Sequence, residues 1–228
     1  MSRGLFGDLF GDRFPLPWQM SLAERFVLIA TLEHLKPRVA IEIGSAGGGS
    51  LQVLAANATQ VYALDSDPTT PTRLAQFTNV DFRIGEAHET LPPLLAELHA
   101  AGTPYPFVLI DGNHQAAYVR RDIQALLSIP PLGTTYVFLH DVFNPECREG
   151  IRTAGWETCP YAHWVALDVV PGVFLTLPNT FKVDREMWGG FALAILHPQP
   201  RQRPLTISAP QEAVFQQVLA VSAHRQAI

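Results

Sequence analysis

The chain has 228 residues, 47% of them hydrophobic and only 16% charged, which suits one large domain with a buried core and excludes a disordered, collagenous or coiled-coil chain. Its 16 basic residues against 21 acidic ones give a net charge of −5; phosphate neutralisation calls for a basic excess, so no nucleic-acid partner is expected. Two cysteines, Cys147 and Cys159, are too few for a disulfide framework or a four-thiolate zinc site. No run approaches the ~18 consecutive apolar residues of a membrane span. Acids and glycines interrupt the first 14 residues where a signal peptide needs an apolar stretch. A cytoplasmic protein with no membrane partner is the expectation, and the low charged fraction points to a surface covered by a second copy, a homodimer.

Residues 1–35 read as an N-terminal arm and then a helix over Leu22–Leu35. In the arm, Leu5, Phe6, Leu9, Phe10, Phe14, Leu16 and Trp18 are too apolar for a free tail. It is expected as a lid over a crevice, as a dimer contact, or as a patch on its own sheet. Residues 36–200 read as the main domain. Its spacing predicts a strand at Val39–Ile43, a helix near Leu51–Ala58, a strand at Val61–Leu64, a short helix over Pro68–Gln76 and a strand at Val80–Ile84. A helix carrying Leu94, Leu95 and Leu98 is expected to start at Pro92–Pro93 and stop at Gly102. Phe107–Ile110 is the fourth strand, a helix carries Tyr118 to Leu127, Tyr136–Leu139 is the fifth strand, and Asn144 caps a further helix. Trp164–Val169, Val173–Leu177 and Phe191–Leu196 are candidates for the last strands, two of them forming an antiparallel edge. Residues 201–228 are a proline-rich exit and a short helix. Unbroken apolar strands alternating with helices predict an α/β fold, a doubly wound sheet covered on both faces.

The segment VAIEIGSAGGGS, residues 39–50, carries the most chemistry. A strand runs into a turn holding Gly44, Gly47, Gly48 and Gly49 and then into a helix, so backbone and free N–H groups can approach a ligand. Two cofactor classes compete. A dinucleotide turn wants G-x-G-x-x-G, and Ala46 stands at the second glycine. Asp65, ending the second strand, can accept hydrogen bonds from the ribose of any adenosine cofactor and does not discriminate. Glu42 does: an acid two residues before the first glycine repels a pyrophosphate and suits a ligand with an ammonium group.

The ordered set of Glu42-x-Gly44 with its glycines, Asp65, and Gly85-Glu86-Ala87 after the third strand resembles a class I S-adenosylmethionine-dependent methyltransferase. The resemblance covers roughly residues 35–155. It implies a Rossmann-like sheet of strand order 3-2-1-4-5-7-6, with one antiparallel edge strand. The glycine turn, with Gly44, Ser45, Gly48 and Ser50, would pack on the methionine part of the cofactor. Asp65 and Ser66 would take the ribose, and Gly85, Glu86 and Ala87 would lie by the adenine.

A second constellation joins IDGNH, residues 110–114, to LHD, residues 139–141. Neighbouring strands lie ~4.8 Å apart, so Asp111 and His140-Asp141 converge on one crevice. Asp111, Asp141 and His140 could hold a divalent cation, Mg²⁺ with carboxylates and waters, Mn²⁺ if the imidazole binds. His140 could instead be a buried histidine that positions Asp141. Asp111 could also meet the cofactor's ammonium group. The D-G-x-H and H-D pattern resembles the metal-dependent sugar, macrolide and catechol-type O-methyltransferases, which carry Asp or Glu at the position of His140. His114 is the candidate base, because a histidine titrates near neutrality. The remaining histidines, His88 among them, receive no role. The function expected is methyl transfer from S-adenosylmethionine to a hydroxyl of a small molecule, a sugar or natural product. The rivals are a nicotinamide-dependent oxidoreductase and a non-catalytic cofactor-binding partner protein.

Overall fold

Unbroken apolar runs can be buried only between two covering layers. The computed structural model describes residues 13–175 and 185–224 and places the runs in this way. After helix α1 (Leu22–Leu35) the chain alternates β1 (Val39–Ile43), α2 (Leu51–Asn57), β2 (Gln60–Asp65), α3 (Thr70–Arg73), β3 (Val80–Ile84), α4 (Ala87–Ala100), β4 (Phe107–Ile110), α5 (Ala116–Leu126), β5 (Thr135–His140) and α6 (Pro145–Arg152). There follow β6 (Ala162–Val170), a two-stranded ribbon of β7 (Val173–Phe174) and β8 (Met187–Trp188), then β9 (Phe191–Leu196), β10 (Ile207–Ser208) and α7 (Glu212–Leu219). Every residue of β1 and β4 is buried.

The main sheet runs β10-β6-β9-β5-β4-β1-β2-β3. With β9 as the seventh strand, this contains the expected 3-2-1-4-5-7-6 order and adds the short β10 outside β6. The antiparallel strand needs correcting. β9 pairs antiparallel with both β5 and β6, so it lies inside the sheet, while β6 and β10 form that margin. β1 pairs with β2 on one side and β4 on the other. The strand order therefore reverses between β1 and β4, and such a switch point opens a crevice at the carboxyl ends of the strands.

One core packs α4, α5 and α6 on a face of the sheet through Leu91, Leu94, Ile123 and Ile151 around buried Trp156. The other packs α1 and α2 through Leu28, Leu32, Leu51 and Leu54, and it takes in Phe14 and Met20 of the arm. Leu5, Phe6, Leu9 and Phe10 lie outside the described residues.

Two helices differ from expectation. α3 is only four residues long. α4 begins at Ala87, five residues before the expected start, and carries Pro92 and Pro93 inside it. Each proline removes one N–H from the ladder, but burial of Leu91, Leu94, Leu95 and Leu98 holds the helix together across them. Of Val173–Leu177, the described part forms only the short ribbon strand β7.

Candidate active site

The crevice opens where β1, β2, β3 and β4 end. A cleft of about 370 Å³ is lined there by Gly44, Asp65, Ser66, Gly85, Glu86, Ala87 and the run Asp111–His114, together with Gln19 and Asp122. Gly44 is at φ +83°, and a Cβ on it would sit 2.1 Å from the Asp111 carbonyl oxygen, so any larger residue would push β1 and β4 apart. Gly48 also has positive φ, but a Cβ there would meet side-chain carbons of Leu74 and Leu16 at 2.8 and 2.9 Å. Gly48 thus leaves room for Leu74 and Leu16 to pack against the turn. A Cβ on Gly49 would lie 2.5 Å from the Pro17 carbonyl oxygen. The arm is seated on this turn, and Gln52 fixes it by exchanging hydrogen bonds with the Leu16 backbone.

Glu42 does not face the cleft. It is fully buried, and its two oxygens accept hydrogen bonds from Ser45 Oγ at 2.7 Å and Ser50 Oγ at 2.6 Å. Burial pushes its carboxyl up to about 8, against the serine hydrogen bonds and with help from the charges of Asp111 and Asp65. The expectation that Glu42 meets a ligand's ammonium group is corrected: with Ser45 and Ser50 it ties the turn to β1. Asp65 does reach the cleft. Its Oδ2 accepts the Ser45 N–H at 3.1 Å and its Oδ1 the Asp67 N–H at 2.9 Å. Each oxygen keeps a lone pair for a further donor. Glu86 is exposed at the rim, and its backbone starts α4.

At the other side of the cleft five side chains form one network. His140 is buried between two carboxylates, its Nδ1 2.9 Å from Asp111 Oδ1 and its Nε2 2.8 Å from Glu24 Oε1. Burial pushes His140 down, but the charges of Asp111 and Asp141 raise it well above the usual histidine range. Flanked by two carboxylates, the ring is placed to donate from both nitrogens. Asp141 has φ +55°, and its Oδ1 accepts the Gly189 N–H. Its Oδ2 lies 3.0 Å from His114 Nε2. Burial pushes Asp141 up, yet His140 and His114 outweigh this and hold it well below the usual range. His114 is 44% exposed and packs edge-on against Trp188.

The expected cation ligands are redistributed accordingly. His140 has no ring nitrogen to offer, since carboxylates take both. Ligand atoms of Asp111, His114 and Asp141 do lie within 4.8 Å of one another. Sequence reasoning missed Glu24, which sits on α1 and also accepts the Ser21 and Gly190 N–H groups. Its only local signal is Ser21-x-x-Glu24, which reads as a capping box.

The methyltransferase-domain family matches residues 41–142, from β1 through Asp65, Gly85-Glu86-Ala87 and His114 to Asp141. Over these residues the chain is similar to that methyltransferase domain, and its sheet has the Rossmann-like methyltransferase fold. Similar folds are found in cofactor-bound Rv0187 from MTB, at 22% identity and a TM-score of 0.52, over 83% of this chain and 86% of that one. The O-methyltransferase TomG from Streptomyces achromogenes is 19% identical with a TM-score of 0.52, over 84% and 88%. The N-methyltransferase NodS from Bradyrhizobium japonicum WM9 is 14% identical with a TM-score of 0.50, over 86% and 97%. At these identities the likeness is one of fold. No curated protein matches the chain by sequence. No helix among the described residues is long and apolar enough to cross a membrane.

Proposed function

We propose that the methyltransferase domain moves the methyl group of S-adenosylmethionine to a hydroxyl oxygen of a small molecule, a sugar or natural product. The observation that carries this reading is a single cleft with the carboxylate of Asp65 and the imidazole of His114 on its walls, His114 backed by buried Asp141 at 3.0 Å. Asp65 would bind the ribose diol, and the backbone at Gly44 would pass beneath the amino-acid part of the cofactor. The acceptor oxygen attacks the sulfonium methyl in line, the methyl–sulfur bond breaks, and S-adenosylhomocysteine leaves with the sulfur's electron pair. His114 takes the hydroxyl proton. Asp141 holds the ring and stabilises the imidazolium that forms, while alignment supplies most of the rate.

A divalent metal fits the same corner, because Asp111, His114 and Asp141 offer two carboxylates and an imidazole, a donor set that favours Mn²⁺ over Mg²⁺. Held there, it would take His114 as a ligand in place of its role as base, and would itself lower the pKa of a bound hydroxyl. Pro17, Trp18 and Gln19 line the space in front of the glycine turn, which supports the arm as a lid within its own subunit.

The test supplies an isotopically labelled methyl donor with a panel of catechols, flavonoids and nucleotide sugars, and reads the products by mass spectrometry and NMR. A methoxy product supports the reading. Transfer confined to nitrogen, or to nucleic acid, overturns it.

A further inference from the structure

The His114 side chain is held by little. It is 44% exposed, and its Nε2 meets Asp141 at 3.0 Å. One hydrogen bond leaves an imidazole free to swing about the bond, and a displacement of about 1 Å can cost a reacting group ~10²-fold in rate. The second contact is Trp188, whose indole stands at 78° to the imidazole with ring centres 5.1 Å apart, the edge-to-face arrangement that aromatic rings prefer. Trp188 is fixed in turn. Its Nε1 donates to Glu186 Oε2 at 2.7 Å. Gly189 and Gly190 follow at φ +75° and +82°, which glycine adopts at little cost. Their N–H groups donate to Asp141 and Glu24, both at 2.5 Å, and the Gly189 carbonyl accepts the Phe143 N–H at 2.9 Å.

The end of the chain closes on the same ribbon. Buried Arg148 pairs with Glu212 of α7 at 2.8 Å and with Asp168 of β6 at 3.0 Å, and its guanidinium lies 4.4 Å from the Phe215 ring centre. Phe215 packs edge-on against Phe143. Beyond α7, the Ala223 N–H donates to the Arg185 carbonyl at 2.9 Å, and the Arg185 guanidinium donates to the Val221 carbonyl. His224 meets the Trp188 ring with centres 6.2 Å apart. The Nε2 of His224 is buried without a hydrogen-bond partner, so that nitrogen makes no bond and the ring acts by contact. The seat from Phe143 to His224 lies wholly beyond the family match, which ends at residue 142.

We propose that Trp188 is a positioning residue for His114, seated by the C-terminal segment from α7 to His224. This rests on the reading of His114 as the base. With Nε2 committed to Asp141, the nitrogen left to take a proton is Nδ1. The Asp141 bond sets one end of the ring, and the indole sets the direction in which Nδ1 points. Trp188 is not among the residues that line the cleft, so it acts through His114 and leaves cofactor binding alone.

The experiment compares wild-type protein with Trp188→Ala, Trp188→Phe and His224→Ala. Each is treated with diethyl pyrocarbonate, which carbethoxylates accessible imidazoles, and the rate at every histidine is read by peptide mass spectrometry. Exposed His34 normalises the rates, and buried His140 reports unfolding. In Trp188→Ala, His114 should react faster by about threefold or more, the worth of one edge-to-face contact. Trp188→Phe keeps an aromatic edge and should restore the wild-type rate, and His224→Ala should fall between. Affinity for S-adenosylhomocysteine in calorimetry should be unchanged in all three. With an acceptor from the labelled-donor panel, kcat of Trp188→Ala should fall about tenfold or more while the acceptor KM holds. A wild-type rate at His114 in Trp188→Ala, or a His140 that becomes reactive with it, overturns the proposal and leaves the base reading intact. A raised KM at unchanged kcat makes Trp188 an acceptor contact and overturns it too. Wild-type turnover in His114→Gln overturns the base reading, and the proposal falls with it.

Discussion

Replacing Glu24 by alanine should destabilise the protein far more than a change on its first helix would suggest. The carboxylate is 2% exposed and accepts from His140 Nε2 at 2.8 Å and from the Ser21 and Gly190 N–H groups at 2.5 Å. Removing it leaves the His140 imidazolium buried with one carboxylate fewer. Breaking a buried pair on one side costs about 3–5 kcal/mol. For a domain of this size that is roughly 6–20 °C in Tm, at about 2–4 °C per kcal/mol. Glu24→Gln should lose less, because the amide oxygen still accepts one N–H.

The pH dependence separates this from a mere packing loss. Burial pushes Glu24 up, but the hydrogen bond and charge of His140 and the Ser21 bonds hold it below its ordinary 4.5. Its contribution is present above 4.5 and disappears as pH falls through the folded value. His140 is raised above its ordinary 6.5, so its contribution is full below 6.5 and declines as pH rises toward the folded value. The gap between wild type and Glu24→Ala, read by chemical denaturation, should be widest between these two values and narrow on the alkaline side. A loss under about 1 kcal/mol, as for an exposed pair, or a gap independent of pH, would refute the buried imidazolium.

Asp65→Ala removes the acceptor for two backbone N–H groups and, on the proposed reading, for the ribose. At about 1.5–3 kcal/mol for each charge-assisted bond to the ligand, S-adenosylhomocysteine should bind at least tenfold more weakly. Unchanged affinity in calorimetry would remove the ribose from Asp65. His114→Gln should lower turnover by ~10²–10⁴-fold, with a residual rate that climbs with pH as the acceptor hydroxyl ionises by itself. Wild-type turnover at neutral pH would relieve His114 of proton transfer. If a metal sits between Asp111, His114 and Asp141, a chelator should abolish transfer, Mn²⁺ should restore it, and cofactor affinity should be largely kept. Full activity in chelator leaves the dyad to act alone.

What could be read from the sequence follows the range of the interactions. Val39–Ile43, Val80–Ile84, Phe107–Ile110 and Phe191–Leu196 are strands over their expected bounds, and Leu22–Leu35 is the expected helix. Phe107–Ile110 and Phe191–Leu196 are continuous apolar runs, Val80–Ile84 alternates apolar and charged residues, and the Ser21–Glu24 capping box starts the helix, so each element is decided locally. The start of α4 was hidden because Pro92–Pro93 resemble a first turn, while four buried leucines set the helix from further along. The crevice was legible because strand ends in this topology converge. The assignment of the two histidines was not, since whether His114 or His140 joins the acids depends on Glu24, 116 residues from His140. Glu42 was misread in the same way: its spacing from Gly44 suits a ligand contact, but Ser45 and Ser50 fold back onto it first.

The central claim is that this cleft holds an adenosyl sulfur cofactor, and calorimetry on the wild-type protein tests it most directly. S-adenosylhomocysteine and NAD are titrated separately under the same conditions. The account predicts one saturable site for S-adenosylhomocysteine, lost or at least tenfold weaker in Asp65→Ala, and no binding of NAD. Saturable binding of NAD with none of S-adenosylhomocysteine would contradict it.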